Sequence, residues 1–270
     1  MVKTAESRLT KTLTSKLAAI GKHVAGKLSH LAKPAQMSEG GDRKAIDEAV
    51  DGADWMSVAS AVAAETEAVA TDGAKRALLT LGVADDESIT SQTFTKAVEW
   101  AKARAAELVG KSWDEDGNLV DNPDADMAIT DTMRDEIRDA VAEAIENGDS
   151  AADLADTIEG LGSFSEERAI MIARTEIVAS HASGQMRAMR ESGVVEQKAW
   201  SAAGEEVCDD CQENEDAGPI GIDDDFPSGD DAPIAHPLCR CAVVAYFPDP
   251  EDEDSGDEDT SDEEDDSSDE

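Results

Sequence analysis

Residues 37–248 carry 47 acidic side chains against 16 basic ones, a net charge of −31 within a chain whose total is −40. Self-repulsion of that size penalises any compact state in dilute salt. The Debye length falls from ~10 Å at 0.1 M salt to ~3 Å at 1 M, so molar salt removes most of the penalty. Only six of the sixteen bases are Lys. The pattern fits a protein adapted to a high-salt cytoplasm; the blander alternative is an ordinary acidic protein that repels nucleic acid. The 270 residues are 40% hydrophobic but only 3% aromatic, so a core must rest on Ala, Val, Leu and Ile. No apolar run approaches the ~18–20 residues of a membrane span. The N-terminus also lacks an apolar signal region with a small-residue cleavage site.

The two ends differ in sign. Residues 1–36 hold seven Lys/Arg and one acid, Glu6, whereas residues 249–270 hold fifteen acids and no base. Leu9, Leu13, Leu17, Ile20, Val24, Leu28 and Leu31 recur at spacings of four and three, which makes one apolar stripe on a helix. Arg8, Lys11, Lys22 and Lys33 fall on the opposite face. Such a helix can lie on a membrane, grip nucleic acid or dock on a protein. Docking on a protein partner through Leu13, Leu17, Ile20 and Val24 ranks first, because apolar burial keeps its strength in salt while Lys–phosphate attraction fades. DNA contact is the weaker alternative.

Pro34 and Ser38-Glu39-Gly40-Gly41 read as a hinge. Ala-rich helices follow over about 43–69, around 77–81, and from Ser91 to Gly110. Residues 112–123, with an Asp-Gly and an Asn-Pro, form a turn-rich boundary; their alternating Asp lacks the closing Glu of a calcium loop, which leaves a solvated acidic loop. From Met127 the period sharpens at Met133, Ile137, Val141 and Ile145, with Gly148 as a stop. Ser150 to Asp153 resembles a capping box, and Ser165 opens a long helix ending near Gly193. Lys198–Ser201 and Cys241–Phe247 read as short strands. Residues 248–270 have almost nothing to bury and read as disordered. The expected fold is mainly α with a small C-terminal α+β module around a Cys-rich knot. It divides into 1–36, 37–124, 125–247 and the tail 248–270.

Four cysteines are too few for a disulfide scaffold at this length. Cys208-Asp-Asp-Cys211 points two thiolates at one place, half of a tetrahedral zinc site. Cys239 and Cys241 can supply the other half, with His236 as a substitute ligand. Four reduced thiols, or two disulfides joining the pairs, remain the competing readings; a bridge within Cys239-x-Cys241 would be strained. No catalytic set stands out, and His181 has no metal partner at ligand spacing.

Several of these residues occur together in a known pattern. Ala173-Arg174-Thr175-Glu176, Gly193-Val-Val, Trp200, Cys208-x-x-Cys211 and Pro233-x-x-His236-Pro237-x-Cys239-Arg240-Cys241 resemble the phage head morphogenesis family, the minor head proteins similar to protein F of phage Mu. The likeness covers about 125–247. Glu205 and Glu206 depart from the Asp and Arg that commonly precede the first cysteine. The resemblance implies a non-enzymatic minor capsid protein in the virion head near the portal, made in the host cytoplasm and acting in head assembly or genome delivery. With the charge pattern, the host becomes a halophile and the source a virus or provirus. A cellular zinc-binding interaction or regulatory module is the alternative when the cysteines are taken without the resemblance.

Overall fold

The computed structural model describes residues 1–29, 39–125, 128–147, 149–204 and 207–248. Pro34, Leu31, Lys33, Met127, Gly148, Glu205, Glu206 and the tail 249–270 lie outside these. Helix α1 (Val2–Ser29) follows the leucine spacing: Leu9, Leu13, Leu17 and Val24 are fully buried, and Ile20 and Leu28 nearly so. The stripe packs against α2 (Glu39–Asp51), α3 (Trp55–Thr80), α6 (Ala151–Glu159) and α7 (Glu166–Ser192) of the same chain. This corrects the expected partner surface at Leu13, Leu17, Ile20 and Val24. Periodicity shows that a face must be covered but not by what, and here the chain's own helices cover it. Each such side chain contributes about 1.5–3 kcal/mol by leaving water.

Glu39, Gly40 and Gly41 sit in the first turn of α2 and do not form the expected hinge; glycine weakens a helical turn without forbidding it. The single helix expected over 43–69 is broken at Gly52–Asp54. There the Asp54 carboxylate accepts the Ser57 N–H at 3.1 Å and starts α3, which runs on through the expected 77–81 segment. Asp86 caps α4 (Glu87–Glu107) in the same way, accepting from Ser88 and Ile89.

The scarcity of aromatics shows in how α3 meets α7. A Cβ on Gly184 would stand 2.0 Å from the Ala70 carbonyl oxygen, and one on Gly73 would stand 2.5 Å from that of His181. Two backbones therefore touch at this crossing, and small residues on both helices permit it.

The turn-rich segment forms a hairpin of β1 (Lys111–Trp113) and β2 (Leu119–Asp121), with Ser112 opposite Val120. Its loop is closed by Asp114, whose carboxylate accepts the Asp116 and Asn118 N–H groups, as a solvated Asp-rich turn should. Helix α5 (Ile129–Asn147) follows. The capping box of α6 forms in both directions between Ser150 and Asp153. A 3₁₀ turn (Gly162–Phe164) leads to α7, which Ser165 caps.

The segments expected as three units share one core that runs from Ala5 to Ile177 and includes Leu17, Val62, Ile137 and Phe164. After α7 come β3 (Gln197–Ser201), α8 (Asp209–Asp216), β4 (Ile220–Gly221) and β5 (Ala242–Tyr246). The sheet order is β4-β3-β5, antiparallel throughout, with Trp200 opposite Val243. Among the described residues no helix is long and apolar enough to cross a membrane.

Candidate metal centre

The Cys-x-x-Cys pair sits on a helix start. Cys208 is the N-cap of α8, and its sulfur accepts the Cys211 N–H at 3.4 Å. The first and fourth positions of such a turn lie on one side, so both sulfurs face the same point. The second half comes from a turn in which the Cys239 N–H bonds the His236 carbonyl at 3.2 Å. Leu238 stands inside this turn at φ 67. Its N–H donates to the Thr175 hydroxyl of α7 at 3.0 Å, which fixes the turn to the long helix. Cys241 immediately precedes β5.

All five donors expected from the sequence are brought together. Cys208, Cys211 and His236 place their ligand atoms within 4.8 Å of one another, and so do Cys211, Cys239 and Cys241. Cys211 Sγ lies 3.8 Å from Cys239 Sγ and 3.4 Å from His236 Nε2. The cysteines are unbonded to each other. His236 Nδ1 lies 2.8 Å from the Pro237 carbonyl oxygen. A carbonyl only accepts, so the His236 Nδ1–H donates in that contact.

Burial, then hydrogen bonding to Cys241 and Cys208 and the charge of Cys239, push the Cys211 thiol well above its usual range. Cys239 is raised as well, chiefly by burial. Cys241 goes the other way: burial pushes it up, but the Ala203 backbone N–H and the neighbouring Cys211 and Cys239 sulfurs help bring it below its usual range. Thiols crowded without a counter-charge resist ionising, and a divalent cation would reverse that. Soft sulfur and imidazole donors in this arrangement could hold a metal ion of the zinc class.

Around the cluster, Trp200 is buried and meets Phe226 edge-on, with centroids 5.1 Å apart. A cleft of about 370 Å³ between α4, α7 and the 230–237 loop has His236 and Pro237 on its wall. The remaining motif residues serve the scaffold. Glu176 is buried and takes a two-pronged contact from Arg104 of α4, with Nε to Oε2 at 3.0 Å and Nη2 to Oε1 at 3.1 Å. Arg174 is not drawn to the cluster, and its buried Nε has no hydrogen-bond partner among the described residues. Arg240, part of the closing motif, pairs with Glu6 of α1 at 2.5 Å and ties the cluster to the N-terminal helix.

Sequence reasoning missed Lys198. It is fully buried, donates to Asp231 Oδ1 at 2.6 Å, and lies over the Phe226 ring. Arg190 holds the same carboxylate at 2.6 and 3.0 Å. Alternation along β3 points Lys198 and Trp200 to the same buried face, but only the fold supplies the acid, 33 positions away.

Comparison with known proteins agrees with the motifs. Residues 135–244 match the family described as Phage Mu protein F like protein. The resemblance to the phage head morphogenesis family therefore holds over the segment that carries α5 to β5. An uncharacterised Bacillus subtilis (strain 168) protein, YqbB, is 32% identical over 93 residues, which is 33% of this chain and 30% of that protein. The matched region thus spans less than a third of the relative's length. No solved structure gives a significant match.

Proposed function

We propose that this chain is a minor head protein of a virus or provirus, present in few copies in the head interior and acting in head assembly or genome delivery beside the portal. One observation carries the reading: the family match over 135–244 coincides with the unit in which Thr175, Trp200, the Cys-x-x-Cys pair and the His-Pro-x-Cys-Arg-Cys loop meet. The role is structural and not catalytic. Portal and coat protein are the expected partners, reached through surfaces other than the α1 leucine stripe. The net charge of −40 supports a halophilic host and argues against tight DNA contact. Mass spectrometry of purified particles should find the protein well below coat stoichiometry, and deleting its gene should impair head assembly or infectivity. Absence from particles combined with normal heads in the deletion strain would reject the role.

For the cluster, zinc is the metal best suited to these donors, and we infer one structural ion that braces β3, α8 and β5. The concentration of thiols and imidazole in a small cluster centred on Trp200 and Phe226 supports this. Ligation of this type contributes ~10–16 kcal/mol at neutral pH, enough to make a local fold depend on the metal.

A further inference from the structure

The cleft between α4, α7 and the 230–237 loop touches the cysteine cluster only at its His236 end, and the groups along the rest of it fit a ligand of their own. We propose that it holds an extended peptide segment of a partner protein, with one acidic side chain between apolar ones, and that Arg187 and Ser183 receive the carboxylate. This holds whichever protein supplies the segment.

The floor of the cleft is one face of α7, from Thr175 through Ala179 and Ser183 to Arg187. Twelve residues at ~1.5 Å make a floor about 18 Å long. An extended chain rises ~3.3 Å per residue, so about five residues lie along it. A volume of about 370 Å³ spread over that length leaves a channel for a single strand. A helix, about 10–12 Å across, is too wide for it.

Two groups in the cleft are unspent. Ser183 is 8% exposed, and its buried hydroxyl has no hydrogen-bond partner among the described residues. Arg187 uses only Nε, which donates to the Lys96 carbonyl at 3.0 Å. It forms no ion pair among the described residues, and Asp231, Glu191 and Glu99 act on it only through space. Burial, then the charge of Arg190, pulls its guanidinium below the usual range. Residues four apart on a helix are neighbours, so the two groups stand side by side. A hydroxyl and the remaining guanidinium N–H groups both donate, and one carboxylate accepts from both.

The rest of the lining selects the occupant. Ala179 and Met186 of α7 and Pro233 and Ile234 of the loop present apolar surface, and the Trp100 ring lies 5.8 Å from Arg187 Cζ. Apolar side chains on either side of the acid match this surface. A polyanion does not. Asp230 and Asp231 stand on the loop wall, and Arg104, the other arginine of the cleft, is committed to Glu176. That disfavours nucleic acid. It equally disfavours the chain's own residues 249–270, whose fifteen acids come with no Ala, Val, Leu, Ile, Met or aromatic residue.

Equilibrium dialysis of the full chain, read by mass spectrometry, tests this with two pools of N-acetylated, C-amidated pentapeptides. Both carry Ala, Val, Leu or Ile at the flanking positions; one has Asp at the centre and the other Asn. At about 1 M KCl, where self-repulsion is screened, the Asp pool should be retained about 10–100-fold over the Asn pool, the effect of hydrogen bonds to a charged group. Arg187→Gln should abolish that preference. Ser183→Ala should weaken it several-fold without lowering the thermal midpoint, because the hydroxyl it removes has no partner. Lys11→Ala, on the exposed face of α1, should leave it unchanged. No retention of either pool, equal retention of both, or a preference that survives Arg187→Gln would overturn the proposal. So would benzoate binding with the same affinity and the same dependence on Arg187, which would make the ligand a small carboxylate. If Arg187→Gln does not fold, Ser183→Ala decides: an unchanged preference in that variant overturns the proposal.

Discussion

Replacing Leu17 by Ala tests whether α1 belongs to the chain's own core. Leu17 is fully buried, in the cluster that also holds Leu13, Val62 and Ile137. A Leu→Ala change in such a site costs about 3–5 kcal/mol, the lost transfer energy plus the cavity left behind. Whole-domain stabilities are about 5–15 kcal/mol, so this is a large fraction. With a urea m-value of about 3 kcal/mol/M for a chain of this size, the unfolding midpoint should fall by about 1 M or more. The assay is far-UV circular dichroism of the full chain at one fixed salt concentration. Lys11→Ala, on the exposed face, should move the midpoint by less than about 0.5 kcal/mol equivalent. An unchanged midpoint for Leu17→Ala, together with failure to enter heads, would mean that the stripe serves a partner and that its packing on α3, α6 and α7 is wrong.

Gly184→Ala should destabilise by about 3 kcal/mol or more in the same assay, since its Cβ would meet the Ala70 carbonyl at 2.0 Å and force α3 and α7 apart. Glu176→Gln should cost about 2 kcal/mol in thermal unfolding; this is below the figure for a fully buried pair because the Arg104 side chain is 31% exposed. Thr175→Val should cost about 1–3 kcal/mol by stranding the Leu238 N–H, and should speed zinc loss to a chelator. Asp231 is pushed up by burial but brought below the usual carboxylate range by Arg190 and Lys198. Its contribution is therefore complete above the unfolded-state value near 3.9 and is lost as pH falls through the lower folded value. Asp231→Asn should remove that part of the acid transition, as an acid titration followed by circular dichroism would show.

The sequence was most readable where structure is local. The Ser150–Asp153 capping box, the Ser165 cap and the strands flanking the cysteines need only near neighbours, and all are present. The five candidate donors were legible because their chemistry is rare and their spacing short. What depended on distant partners was not legible. An amphipathic period cannot tell the chain's own core from a foreign surface, so the α1 stripe was assigned to a partner it does not need. Arg104 and Glu176 lie 72 positions apart, and Glu6 and Arg240 lie 234 apart. Nothing in either neighbourhood announces the other. Helix α8 was missed because Asp209 to Asp216 has no apolar stripe; its start is set by a cysteine acting as the cap.

The metal content of the full chain, purified without chelator and measured by native mass spectrometry alongside thiol counting, is the most direct test that the C-terminal unit is built around an ion. One zinc per chain with all four cysteines unpaired is the expected result. Less than about a tenth of an equivalent, with the cysteines oxidised in two pairs, would show that covalent bridges hold the unit and not a metal.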